Sequence, residues 1–327
     1  MTNTNEYSRV VLLTKQGPPS VLKYTTRPLN PPGDNELLIG QRAIGLNFVD
    51  IFYRNGTFPV SSFPAPIGSE AAGIVTAKGS AVTNFELGDR VVHRTMGAYA
   101  DRKVVNAKDV FKLPDDVSFD EAAAFFVKGL TAYMLVKDAH PIKKGDVVLI
   151  HAVSGGVGSL LSKWAKYLGA TVIGTVGSGA KKEVAINNGV DEVIALDSQD
   201  FVAEVMSFTA GKGIDVVYDG VGETTFDKST ELFTNGGTAV LFGWPSGMPV
   251  INQEMLDKKG IKFSRSALNV YWGRLENPGE VVDELFEALR AGVFGKIKPT
   301  LYALADAAQA HTDMEGRKTT GAVIFHP

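Results

Sequence analysis

The stretch that most constrains this chain is residues 145–158, GDVVLIHAVSGGVG, together with the apolar stripe that follows it. Val147, Val148, Leu149 and Ile150 form an unbroken apolar run, the pattern of a strand buried on both faces. The run ends in a turn of small residues, 152–158, after which Leu160, Leu161, Trp164, Ala165 and Leu168 recur at helical spacing. Strand, glycine turn and helix together make the geometry that binds a dinucleotide pyrophosphate. Glycines let backbone approach the phosphates, and the free N–H groups and dipole of the helix start favour negative charge. The spacing is A-x-x-G-x-x-G, with Ala152 where the usual fingerprint has its first glycine. A strand–helix turn that merely needs small residues has the same spacing, so the surrounding chain must decide.

Around this unit strands and helices alternate. Strands are expected at 147–151, 171–176, 191–195, 214–219 and 238–243, helices at 157–168, 180–188, 200–209 and 225–233, and a last strand at 261–266. That rhythm indicates βαβ units and a parallel sheet. The first 125 residues read differently, with short β segments (9–14, 36–44, 71–78, 89–93) between Pro and Gly clusters and one helix at 47–55. A coiled, partly open barrel fits that texture. Ser118 and Glu121 form a capping-box pattern opening a helix through 122–126, with a second helical run at 130–136. Beyond 268 come an amphipathic helix at 280–289, a segment at 297–303, a helix at 305–314 and a final strand at 321–325. This tail is too short for a domain and should pack on the N-terminal β part. The expected class is therefore α/β, with one β-rich domain of 1–125 plus 269–327 and a nucleotide-binding domain of 126–268.

A formal charge of −3 provides no general field for nucleic acid or anionic membrane. The N-terminal sequence MTNTNEYSRV has no apolar segment of a secretory signal, and no apolar run approaches a membrane span. A cytoplasmic location is the expectation. The chain has no cysteine, which removes disulfides, thiolate catalysis and thiolate-held metals. No two of its histidines stand at i, i+3 or i, i+4, so no metal site is expected.

The second strand of a dinucleotide fold ends near the adenosine ribose, where an Asp or Glu selects the 2′-hydroxyl of NAD. Here that strand, 171–176, runs into Gly177-Ser178-Gly179-Ala180-Lys181-Lys182, and no acidic residue lies between Thr171 and Lys182. Ser178 and Lys181 suit a 2′-phosphate instead, so NADPH is the expected cofactor. Lys182 reads better as a solvated residue of the next helix.

At this point the chain resembles the zinc-free quinone oxidoreductases, the zeta-crystallin-like branch of the medium-chain dehydrogenase/reductases. The resemblance rests on AIGLNFVD at 43–50, GSEAAG at 68–73, LGDRV at 87–91 and KGLTA at 128–132. It continues through 152–158, VYDGVG at 217–222 and RKTTG at 317–321. It implies a GroES-like catalytic domain, a Rossmann domain and an active site in the cleft between them. Zinc-dependent relatives carry Gly-His-Glu where this chain has Gly68-Ser69-Glu70, and a cysteine near Asn47. Metal-free hydride transfer is implied, with Glu70 structural. By matching motif, Asn47, Phe48 and Thr131 are expected at the nicotinamide end, bordered by Val221, Phe242, Gly243 and Leu268. Gly155, Gly156, Val157 and Gly158 are expected at the pyrophosphate, Gly177, Ser178 and Lys181 on the adenosine side, and Arg317 at the 2′-phosphate.

The chain also departs from its relatives. Leu196 replaces a common tyrosine, Phe52 and Phe58 stand where tyrosines are frequent, and Trp244-Pro245 replaces a more polar pair. Phe52, Phe58 and Trp244 are therefore the expected walls of the acceptor pocket. The implied reaction is NADPH-dependent reduction of a quinone or similar conjugated carbonyl. It needs little acid catalysis, because water can protonate the stabilised oxyanions; Asn47 is the candidate oxyanion donor as well as a helix N-cap. The rival enzyme is an enone or 2-alkenal C=C reductase, which requires a proton donor such as Tyr53 or Tyr271. A rival of another class is a binding or structural protein that keeps the fold, although no basic stripe supports nucleic-acid binding. A homodimer is the family's default, with 261–266 as the available edge strand.

Overall fold

A computed structural model describes residues 7–234 and 236–327. Residues 1–6, which begin the expected first domain and the stretch lacking a secretory signal, lie outside the described residues. The chain divides into two compact units, residues 1–127 with 297–327, and residues 128–296.

The first unit opens with strands β1 (Tyr7–Leu13), β2 (Leu22–Pro28) and β3 (Glu36–Leu46), then helix α1 (Phe48–Asn55). Strands β4 (Ala65–Pro66), β5 (Glu70–Lys78), β6 (Arg90–His93), β7 (Arg102–Asn106) and β8 (Val110–Lys112) follow, before helix α2 (Phe119–Met134). Its strands form a three-stranded sheet, β2-β1-β4, and a larger one containing β3, β5, β6, β7 and β8. The returning tail completes this larger sheet, as the sequence suggests. After β15 (Thr300–Ala303) and helix α10 (Ala307–Glu315), strand β16 (Val323–His326) pairs antiparallel with β3, Val323 opposite Leu46. Val11, Leu13, Ile44, Leu46, Tyr99, Leu304, Val323 and Phe325 share one buried core. The tail thus supplies apolar surface that the N-terminal strands cannot bury alone.

The second unit contains strands β9 (Val147–Ile150), β10 (Thr171–Val176), β11 (Glu192–Ala195), β12 (Val216–Asp219), β13 (Gly237–Leu241) and β14 (Ile261–Arg265). They form one parallel sheet in the order β11-β10-β9-β12-β13-β14. Counted from its first strand this is the 3-2-1-4-5-6 order of the doubly wound dinucleotide fold. Crossover helices are α3 (Gly156–Tyr167), α4 (Lys182–Asn187), α5 (Phe201–Phe208), the short α6 (Phe226–Ser229) and α7 (Gln253–Lys258). Helices α8 (Leu268–Gly273) and α9 (Pro278–Arg290) close the unit. Val148, Leu149 and Ile150 are fully buried because β9 is a central strand with neighbours on both edges.

Three features differ from the sequence reading. The two helical runs at 122–126 and 130–136 are one helix, α2, continued by a single π turn at 135–139. Burial of Ala122–Phe126 and Leu130 on the same helix outweighs the helix-weakening Gly129. Short strands β2, β7 and β8 and helix α7 lacked a strong period and were not expected. The expected boundary at 268 also moves to 296. Helix α9 buries Val281, Val282, Leu285 and Phe286, Trp164 packs edge-on to Phe294 at 5.1 Å, and Lys163 Nζ donates to the Phe294 carbonyl at 2.9 Å. Amphipathicity shows that a helix is buried on one side, but not which domain covers it.

Candidate functional site

In the second unit the strand order reverses between β9 and β12, and the crevice beyond their carboxyl ends is where such sheets bind ligands. The motif of 152–158 lies there. Ala152 adopts φ +57°, a left-handed conformation that glycine favours, which explains why the fingerprint normally has glycine at this position. Gly155 is the N-cap of α3, and no acidic residue occupies the first turn of that helix. The backbone groups of Gly156, Val157 and Gly158 are thus at a helix start suited to an anion. Gly158 is required for another reason: a Cβ there would lie 2.3 Å from the Ala152 carbonyl oxygen. It allows α3 to pack close against the turn.

His151, one residue beyond β9, ties this floor together. Its Nδ1 meets Thr175 Oγ1 at 2.9 Å and its Nε2 meets Ser229 Oγ at 2.8 Å, so one ring joins β9, β10 and α6. Burial lowers its pKa, which favours the neutral ring. The histidine inventory did not reveal this role, which depends on partners distant in sequence.

On the other side of the crevice Asp219 organises the VYDGVG turn. Its Oδ1 accepts the N–H groups of Val221 (2.7 Å) and Gly222 (2.9 Å), and Oδ2 accepts the Thr225 hydroxyl (2.7 Å). Ser246 fastens the next loop by donating its hydroxyl to the Val221 carbonyl at 2.7 Å. Phe242 and Gly243 stand on that loop, and a Cβ at Gly220 would lie 2.5 Å from the Phe242 ring. The Arg265 guanidinium lies 4.9 Å from the centre of the Trp244 ring. Leu268 is the first residue of α8, and Thr131 belongs to the part of α2 within this unit.

At the end of β10, Gly177 is exposed and Ser178 half-buried, and a tight turn, Gly179–Lys181, leads into α4. Cβ atoms at Gly177 and Gly179 would meet nothing within 4 Å, so this rim is open to a ligand. Lys182 Nζ donates to Gln199 Oε1 at 2.6 Å, in keeping with a local role. Leu196 packs against the unit's hydrophobic core.

The first unit holds the other group of expected residues. Asn47 precedes α1, and the Asp50 carboxylate accepts its backbone N–H at 2.9 Å. The Asn47 amide nitrogen donates to Ser69 Oγ at 3.0 Å and to Glu70 Oε1 at 2.7 Å. Both amide hydrogens are therefore committed, while the Asn47 side chain and the Asp50 side chain form a capping box at the start of α1. Glu70 is fully buried and also takes the Val127 N–H on Oε2 at 2.7 Å. Gly45 makes room for it, since a Cβ there would lie 2.2 Å from Glu70 Oε1. Asp50 receives the Tyr99 hydroxyl at 3.1 Å, and Tyr99 meets His311 Nε2 at 3.1 Å. Desolvation pushes the Asp50 pKa up to about 7 and holds that of His311 down to about 3.

Beside this polar cluster lies an aromatic one. Phe48 packs on Phe52 at 5.2 Å, Phe52 on Phe58 at 5.4 Å and Tyr53 on Phe58 at 5.4 Å, all edge-on. Arg317 is an exposed residue of the first unit with φ +56°. Among the described residues no group of three or more His, Cys, Asp or Glu side chains could hold a metal ion.

An antiparallel β unit with a returning tail, joined to a doubly wound sheet with a glycine turn at its switch point, defines a nicotinamide-type oxidoreductase of two domains. The model of the alcohol dehydrogenase GroES-like domain matches residues 33–115, and that of the zinc-binding dehydrogenase matches residues 156–286. A quinone oxidoreductase of Pseudomonas aeruginosa is 39% identical over 95% of this chain and 97% of its own length. The crystal structure of Escherichia coli quinone oxidoreductase complexed with NADPH superposes with a TM-score of 0.93 at 38% identity, covering 98% of this chain and 100% of that one. A 2-haloacrylate reductase from a Burkholderia species is 36% identical over 97% of this chain and 98% of its own length. The chain belongs to the quinone oxidoreductase branch of the medium-chain dehydrogenase/reductase superfamily.

Proposed function

We propose that this chain is an NADPH-dependent quinone oxidoreductase. The observation that carries the reading is its full-length similarity to quinone oxidoreductases, one of them solved with NADPH. The open, acid-free end of β10 supports the choice of cofactor. When bound, NADPH supplies the hydride. In our reading Gly155, Gly156, Val157 and Gly158 hold the pyrophosphate at the start of α3. Gly177, Ser178, Lys181 and Arg317 hold the adenosine and its 2′-phosphate. Asn47, Phe48, Thr131, Val221, Phe242, Gly243 and Leu268 bind the nicotinamide half. Phe52, Phe58 and Trp244 offer flat apolar surface to the acceptor.

The hydrogen bonds of Asn47 refine its role. It can donate to a developing oxyanion only by exchanging its bond to Ser69, the longer of the two. We therefore assign it first to positioning, as the cap that fixes the start of α1. Quinone reduction does not depend on a stronger donor.

The similarity to 2-haloacrylate reductase gives the C=C reductase reading a specific basis. That chemistry requires an acid, and Tyr271 suits it poorly because burial raises its pKa further. Quinone reduction remains the better reading.

We further propose a cytoplasmic homodimer. Its reductant is an intracellular nucleotide, and β14 is an edge strand with its outer side unpaired in the sheet. Val250 and Val270 are strongly exposed near that edge in sequence. Light scattering after size exclusion tests the dimer; a monomer at micromolar concentration would refute it. For the cofactor site, Lys181→Ala should weaken NADPH binding by about tenfold while leaving NADH binding nearly unchanged. Equal affinities of the wild-type protein for NADPH and NADH would refute the proposed preference.

A further inference from the structure

The β10 end lacks an acid of its own, but the fold brings one from the neighbouring strand. Strands β10 and β11 run parallel, with Val176 opposite Ala195, so the residues after each strand emerge side by side. Asp197 follows β11 by two residues, and its Oδ2 accepts the Gly179 N–H at 3.3 Å. Gly179 lies between Ser178 and Lys181, the proposed ligands of the 2′-phosphate. One further bond reaches the carboxylate, and two at Gln199 fix the segment that carries it. Ser198 Oγ donates to Asp197 Oδ1 at 3.1 Å, and Gln199 Oε1 accepts both the Ala195 N–H (3.0 Å) and Lys182 Nζ (2.6 Å). The segment after β11 is thus tied to the turn after β10, with an exposed negative charge at the rim.

Resting on the reading that the chain binds NADPH, we propose that Asp197 is a specificity-determining residue that shifts the cofactor balance back toward NADH. A carboxylate here accepts hydrogen bonds from ribose hydroxyls, as the usual acid of NAD sites does from the preceding strand. Toward a 2′-phosphate it acts in the opposite sense. It repels the dianion and competes with it for the Gly179 N–H. Leu196, the adjacent residue, is apolar and offers no compensating hydroxyl. The position of the acid after β11, rather than at the end of β10, makes its effect a bias and not an exclusion. At this exposed distance a single charge should weaken NADPH binding roughly three- to tenfold once salt screening is included.

The test compares Asp197→Asn, Asp197→Glu and Lys181→Ala in the full-length protein, with dissociation constants for NADPH and NADH from fluorescence titration at low and high salt. Asparagine keeps the acceptor for Gly179 N–H and removes only the charge. Asp197→Asn should tighten NADPH roughly three- to tenfold and leave NADH unchanged or weaker, and the gain should shrink in high salt. Asp197→Glu should keep the wild-type ratio. An unchanged NADPH/NADH ratio in Asp197→Asn, while Lys181→Ala still weakens NADPH, would overturn this proposal and leave the cofactor assignment standing. Failure of the wild-type protein to bind either nucleotide would overturn both.

Discussion

Substituting Asp50 by Asn separates the electrostatics of the first unit from its packing. The Asp50 carboxyl is completely buried and receives N–H and O–H bonds from Asn47 and Tyr99 on Oδ2. Desolvation raises its pKa from 3.8 to about 7, opposed by hydrogen bonds from Asn47, Ser69 and Tyr99 and reinforced by the charge of Glu70. The folded chain therefore holds a proton between these values that the unfolded chain has released. The stability this contributes is fully present below pH 3.8 and is lost as pH rises through about 7. A shift of about three units at 1.36 kcal/mol each amounts to roughly 4 kcal/mol. His93 and His311 act oppositely in the same unit. Burial holds both near 3, so each removes stability as pH falls below 6.5, where the unfolded chain takes up a proton. The raw profile mixes these slopes, and the difference between Asp50→Asn and wild type isolates Asp50. The amide oxygen can accept both donors of Oδ2, while its NH2 replaces Oδ1 at a cost independent of pH. Urea unfolding of the first unit should show the variant gaining roughly 4 kcal/mol on wild type between pH 4 and pH 8, most of it by pH 7. A flat difference would show that Asp50 titrates normally, and a difference of opposite slope that the charged form is favoured.

Two further substitutions test the local structure. Glu70→Gln leaves one acceptor oxygen for two buried donors, Asn47 Nδ2 and the Val127 N–H, and should destabilise the first unit by roughly 3 kcal/mol in thermal unfolding. Unchanged stability with lost turnover would instead give Glu70 a chemical role. Ala152→Gly relieves a left-handed backbone conformation at an exposed position, and should stabilise the second unit by up to about 1 kcal/mol in urea unfolding. A loss of stability would show that glycine's freedom in the unfolded chain outweighs the strain.

The features legible in the sequence were those with local causes. Val147–Ile150 declared a buried strand by composition, and the spacing of 152–158 declared the turn to α3. The alternation declared a parallel sheet, and the structure adds its 3-2-1-4-5-6 order with β9 at the centre. What remained hidden depends on pairs remote in sequence. His151 joins Thr175 and Ser229, Asn47 gives both its amide hydrogens to Ser69 and Glu70, and Asp197 reaches Gly179 only because β10 and β11 are in register. A search for acids confined to 171–182 could not find Asp197, since the strand that carries it comes next in the chain. Helix α9 was placed in the wrong unit for the same reason: its apolar stripe requires a partner without naming one.

The central claim is most directly tested by following NADPH oxidation by the wild-type protein with a 1,4-naphthoquinone and with a simple 2-alkenal, side by side at equal concentration. The account predicts turnover with the quinone and much slower turnover with the alkenal, because the aromatic surface proposed for Phe52 and Phe58 suits a flat acceptor and burial makes the candidate donor Tyr271 a weaker acid. Alkenal reduction without quinone turnover would contradict it.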